Sequence, residues 1–205
     1  QNIRVGNKSN VDAFFVGGSL MMDSESNNRV ANIKKKSEIP LILFPGGVGQ
    51  LSKHYDAMLF MSVISGRNSH YLIGEQVIAA PVVKDLGIET IATGYILLDG
   101  GACTTVEFMS GTRPIPTNKI DIIIAHALAG QYLGMEAIYL ESGSGAQSPI
   151  TIDVVTAVRE VINIPIIIGG GIKSPETASE LAKAGGSIIV TGTITEKDSS
   201  LMSEI

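Results

Sequence analysis

The chain has 205 residues and 21.5 kDa, with 44% hydrophobic and only 17% charged residues, enough for one substantial core. Its net charge of −5 and pI near 5.2 leave no basic stripe of the kind nucleic-acid binding needs. No apolar run reaches the roughly 18 uninterrupted residues of a membrane-spanning helix.

In chain order, residues 1–10 are polar and read poorly as a strand. Seven short runs rich in Val, Ile, Leu or Phe follow, at 12–16, 40–44, 57–61, 90–98, 137–140, 165–168 and 187–190, each closed by glycine, proline or a small polar residue as strands are. Helical patterns fill 118–133, 152–161 and 175–184. In the last, Ser174 suits the N-cap, Pro175 the first helical position and Glu176 the first turn, and Gly185-Gly186 stops the helix. The basic cluster Lys34-Lys35-Lys36 reads as the solvated end of a helix.

Two connections are irregular. Residues 45–52 are loop chemistry, too short for a full crossover helix. Residues 99–116 hold glycines and two prolines and suit a hairpin or a lid. The alternation predicts a parallel α/β fold, a (β/α)8 TIM barrel, because parallel strands need right-handed crossovers. One strand is unaccounted for and is expected before residue 1, and a loop replaces the third crossover helix. Residues 1–205 are read as a single, N-terminally incomplete domain, without a signal peptide or initiator methionine at Gln1.

The strongest functional signal is three strand ends: Tyr139-Leu-Glu-Ser-Gly-Ser-Gly145, Ile168-Gly-Gly-Gly-Ile172 and Val190-Thr-Gly-Thr193. Each passes from an apolar run into glycines or small hydroxyls, which lets backbone amides approach an anion. One glycine triplet is as often a tight turn. Paired on the last two strands, these loops match the phosphate cradle of many barrels.

Tyr139 and Glu141, two residues apart, share one strand face. Glu141 stands at the carboxyl end, where barrels carry catalytic groups; the structural alternative is a buried glutamate paired with a lysine. Ser19, in Val16-Gly-Gly-Ser19, is a candidate hydroxyl ligand for Mg2+, a hard ion that takes oxygen donors. His54, His70 and His126 lack metal-ligand spacing, and Cys103 reads as a passive thiol. A single cysteine fits a reducing, cytoplasmic compartment. Arg67-Asn68 and Arg113-Pro114 are open to an anion or a partner subunit. Leu43, Phe44, Met58, Phe60 and Met61 serve either the core or an apolar groove.

These strings, together with Phe15-Val-Gly-Gly-Ser19, Leu43-Phe-Pro-Gly46, Thr93-Gly-Tyr95, Arg113-Pro-Ile-Pro116 and Tyr132-Leu-Gly134, closely resemble the geranylgeranylglyceryl phosphate synthase family. The resemblance implies a magnesium-dependent prenyltransferase. It would join sn-glycerol 1-phosphate to geranylgeranyl diphosphate through an ether bond and release diphosphate, the first committed step of archaeal-type ether lipid synthesis.

Carried over by motif, glycerol-phosphate binding falls on Tyr139, Leu140, Glu141, Ser142, Gly143, Ser144 and Gly145, on Gly170 and Gly171, and on Gly192 and Thr193. Catalysis falls on Glu141 and Tyr139, and the second metal position on Ser19. The family's Asp-Pro-Asp-Lys-like stretch, which holds magnesium and phosphate, has no counterpart here. Barrels of this type associate, so a homo-oligomer is expected. The alternatives are a heptaprenylglyceryl phosphate synthase with a longer donor, a phosphate-binding barrel isomerase or lyase, and a non-catalytic barrel.

Overall fold

The computed structural model describes residues 2–203. All seven apolar runs become strands: β1 (Phe14–Gly17), β2 (Leu41–Phe44), β3 (Ala57–Val63), β4 (Glu89–Leu97), β5 (Ala137–Glu141), β6 (Ile166–Gly169) and β7 (Ile188–Val190). Each pairs in parallel with the next, in the order β1 to β7. This is the winding of a (β/α)8 barrel, nearly closed. Among the described residues no eighth strand joins β7 to β1, which leaves one seam in the wall.

Helices α2 (Ser26–Lys34), α3 (Glu75–Leu86), α5 (Ile120–Tyr132), α6 (Ile152–Val161) and α7 (Pro175–Lys183) form the crossovers. Short helices α1 (Asn2–Gly6), α4 (Thr105–Ser110) and α8 (Thr193–Lys197) complete the set. Helix α7 starts as its sequence predicts. The Ser174 hydroxyl accepts the Thr177 amide at 3.2 Å, and Pro175 opens the first turn. Gly185 ends the helix at φ +119°, a left-handed-side conformation that favours glycine.

The β2–β3 link holds only a 3-10 turn, Val48–Gln50, so here a loop does replace the crossover helix. Of the hairpin and the lid expected of residues 99–116, no hairpin forms. Thr104 caps α4 by accepting the Glu107 amide, and Ile115 then returns in parallel beside Leu98. The Thr-x-x-Glu spacing favours a helix start over a hairpin turn.

Strand alternation divides the core in two. Outward-facing Leu41, Leu43 and Met58 pack under α2 and α3, and Ile96, Ile138, Leu140, Ile166 and Ile168 under α5 to α7. Inward-facing Phe44, Leu59, Tyr95, Tyr139 and Ile167 fill the barrel. Each fully buried Leu or Ile contributes about 1.5–3 kcal/mol, so both layers hold the strand ends in place.

Candidate active site

Alternation along β5 sends Tyr139 and Glu141 inward, and Leu140 into the outer core. Glu141 is 7% exposed. Its Oε1 accepts the Gly143 amide at 2.7 Å, and the Tyr139 hydroxyl lies beside the same carboxylate, both against Gly169. Burial pushes the Glu141 carboxyl up to about 7 against the downward pull of these two neighbours. No lysine or arginine among the described residues lies within ion-pair distance, so the fold does not build the glutamate–lysine pair. Burial and the Glu141 carboxylate raise the Tyr139 and Tyr95 phenols well above their ordinary range.

The turn after β6 lies directly against this pair. A Cβ on Gly169 would stand 2.4 Å from the Tyr139 hydroxyl and 2.8 Å from Glu141 Oε2. Gly170, at φ +88°, would place one 2.5 Å from Glu141 Oε1. The Ser142 amide and hydroxyl both donate to the Gly169 carbonyl, and the hydroxyl also donates to Gly170. The β5 and β6 turns are thus sewn together by Ser142, with Glu141 packed against the glycines of the second.

Of the expected phosphate contacts, Ser142 and the Gly143 amide are occupied within the protein, and the Leu140 side chain is sealed in the outer core. Ser144, Gly145, Gly192 and Thr193 are exposed, and Gly145 and Gly192 border open space. The hydroxyls of Ser144 and Thr193 approach to 3.5 Å, bringing the β5 and β7 loops together. Lys173 braces the edge by donating to the Gln147 carbonyl at 3.0 Å.

On the other side of Tyr139 opens an apolar cleft. Its walls are Phe44 and Pro45 after β2, Met61 and Val63 of β3, Tyr71, Tyr95, and Val106 and Met109 of α4, with Ser19 at its rim. Of the five residues open between core and groove, Phe44 and Met61 line the cleft, whereas Leu43, Met58 and Phe60 pack outside the sheet. Phe44 and Tyr95 stand between the cleft and the carboxylate. Their ring centroids lie 5.3 and 5.6 Å from that of Tyr139.

A buried carboxylate thus lies between the glycine turns that follow β5 and β6 and the aromatic wall of an apolar cleft. The sequence matches the model of the PcrB family over residues 1–205. The chain belongs to the PcrB family. Relatives of this PcrB-family chain include the geranylgeranylglyceryl phosphate synthase of Chitinophaga pinensis, 47% identical over 95% of this chain and 77% of that protein. The synthase of Pyrococcus horikoshii is 47% identical over 97% of this chain and 78% of that one. Among solved structures, (S)-3-O-geranylgeranylglyceryl phosphate synthase from Thermoplasma acidophilum, in complex with its substrate sn-glycerol-1-phosphate, superposes at a TM-score of 0.92. It is 34% identical and covers 100% of this chain and 85% of that one. An N-acetylmannosamine-6-phosphate 2-epimerase from Clostridium perfringens, at a TM-score of 0.60 and 12% identity, shares the fold alone.

The remaining candidates lie elsewhere in this PcrB barrel. Arg67 folds back on the carbonyls of Ser65 and Gly66 and reaches His126, while Asn68 donates to the Ser110 carbonyl. His70 pairs with Glu75 at 2.7 Å. Cys103 is exposed. Tyr71 escapes the sequence reading because it rides on a π-turn, His70–Gly74, that no simple period announces. No helix among the described residues is long and apolar enough to cross a membrane.

Proposed function

We propose that this chain is a prenyltransferase joining sn-glycerol 1-phosphate to geranylgeranyl diphosphate, with formation of an ether bond and release of diphosphate. The observation that carries this reading is the position of Glu141, buried beside the glycine turns that follow β5 and β6 and behind the aromatic wall of the apolar cleft. The two compartments suit a polar acceptor and an apolar donor. The names of the relatives, and the glycerol phosphate bound by the Thermoplasma acidophilum enzyme, support it.

In this reading the phosphate lies against Ser144, Gly145, Gly192 and Thr193. Tyr139 and Glu141 orient the glycerol hydroxyls, and the carboxylate takes the proton of the attacking one. A carboxyl titrating at about 7 is well matched to that task near neutrality. The prenyl chain lies along Phe44, Met61 and Tyr71.

The residues present do not by themselves fit a magnesium ion. Ser19 offers one hydroxyl at the cleft rim, no carboxylate lines the cleft, and no group of three acidic, histidine or cysteine ligands exists among the described residues. Mg2+ demands octahedral oxygen coordination and is held by one or two carboxylates with substrate phosphates. Cytoplasmic location and self-association belong to the same proposal; for the latter, exposed Ile73, Val77, Ile78 and Val82 around α3 offer an apolar face.

The deciding assay offers geranylgeranyl and heptaprenyl diphosphates with either glycerol 1-phosphate or its 3-phosphate enantiomer, with and without Mg2+. Ether product with the 1-phosphate and the C20 donor is expected. No diphosphate release with any pair sinks the reading.

A further inference from the structure

We propose that the Tyr95 hydroxyl is a catalytic hydrogen-bond donor to the diphosphate leaving group, an assignment that rests on the function proposed above. Tyr95 is 3% exposed and sits near the end of β4, opposite Tyr139 in register. The two phenols differ in one respect. Tyr95 lines the apolar cleft and Tyr139 does not, and the Tyr95 hydroxyl has no hydrogen-bond partner among the described residues.

A buried phenol ordinarily finds a partner. Among the described residues, the only side-chain atoms both sealed from solvent and unpartnered are Gln76 Oε1 and Thr112 Oγ1. The Tyr95 hydroxyl is therefore not sealed. It opens into the cleft that its ring lines.

The character of that cleft narrows what it meets. No charged side chain lines it, and a prenyl chain carries no hydrogen-bond acceptor. The first acceptor a chain in this cleft presents is the oxygen joining it to diphosphate. Tyr95 also pairs in register with Tyr139, two residues before Glu141 on the next strand, with their rings 5.6 Å apart, so it stands between the cleft and the side of the barrel that holds the carboxylate. A phenol held so firmly in its protonated form remains a donor across the working pH range.

The step balances. The bond between prenyl carbon one and the bridging oxygen breaks, and its electron pair leaves with diphosphate, whose bridging oxygen accepts the Tyr95 hydrogen bond. The glycerol oxygen forms the new bond to carbon one, and its proton passes to Glu141. Once the prenyl chain fills the cleft and displaces water, a fixed dipole aimed at developing charge is worth far more than in solution.

Tyr95→Phe tests this, since it keeps the ring against Phe44 and Tyr139 and removes only the hydroxyl. Expected are a fall in kcat of about a hundredfold, an unchanged calorimetric affinity for sn-glycerol 1-phosphate, and an unchanged melting temperature. The deficit should shrink with a difluoromethylene-bisphosphonate donor, a better leaving group that a purely structural role would not distinguish. Should Tyr95→Phe melt early, difluorotyrosine at position 95, a stronger donor of the same shape, should match or exceed the unmodified kcat. Full turnover by Tyr95→Phe, a slower difluorotyrosine enzyme, or a loss confined to glycerol-phosphate affinity would each overturn the assignment. Absence of transfer by the unmodified chain would instead remove the function reading, and this assignment with it.

Discussion

Glu141 and Gly170 occupy adjoining volume: a Cβ on Gly170 would lie 2.5 Å from Glu141 Oε1 and 2.8 Å from the Gly143 nitrogen. The carboxylate is thus wedged between its own turn and the next, and the glycine is required twice, for space and for its φ of +88°.

Gly170→Ala is accordingly expected to destabilise the fold by about 2–4 kcal/mol, combining left-handed strain with a backbone clash. Gly49→Ala, with open space and a place inside the Val48–Gln50 3-10 turn, should change stability by less than about 0.5 kcal/mol. Chemical denaturation of the two variants checks the contrast. Equal losses would mean that the Gly170 turn yields freely.

For Glu141→Gln, loss of the proton acceptor should lower kcat by about 10²–10⁴-fold with little change in glycerol-phosphate affinity. Retained turnover would remove Glu141 as the base.

The same substitution carries a stability signature. An unfolded glutamate ionises near 4.5, and the folded carboxyl at about 7. Between those values the folded state binds more protons, so raising the pH destabilises it. Stability is fully present below about 4.5 and falls as the pH passes through about 7, by on the order of 3 kcal/mol from this residue. Glu141→Gln should therefore gain on the unmodified protein from pH 5 to pH 8 in urea titrations. A constant difference would refute the buried, charged carboxylate.

Activity has the opposite slope. A base must be unprotonated, so kcat/KM should rise with pH and level off above about 7. The rise should vanish in the residual activity of Glu141→Gln.

The apolar cleft makes a separate claim. Val106→Trp, on the wall contributed by α4, should raise the KM for the C20 donor at least tenfold and leave glycerol-phosphate binding intact. Uniform loss of both affinities would mean that the two compartments are not independent.

Much of this was legible in the residues. The seven strands announce themselves because β-branched and aliphatic runs end at glycine, and α7 because Ser174 and Pro175 are local signals. Tyr139 and Glu141 share a face by simple alternation. Helix α3 is harder to read, since Gly74 stands just before it and Pro81 within it, and its tertiary packing overrides both. The α4 start at Thr104 follows a glycine-rich stretch that masks it. The role of Tyr95 cannot be read from sequence at all, because whether a hydroxyl lacks a partner is settled by distant strands, not neighbours.

The brief 3-10 link between β2 and β3 has a kinetic side. Parallel strands are ordinarily joined through a helix, and closing such long loops is what makes parallel sheets slow to assemble. Here the shortest connection in the barrel joins β2 to β3, with the least chain entropy to lose on pairing. That pair therefore has the lowest loop-closure cost in the sheet, and it carries Phe44 and Met61, so a wall of the cleft stands on the connection that is easiest to close.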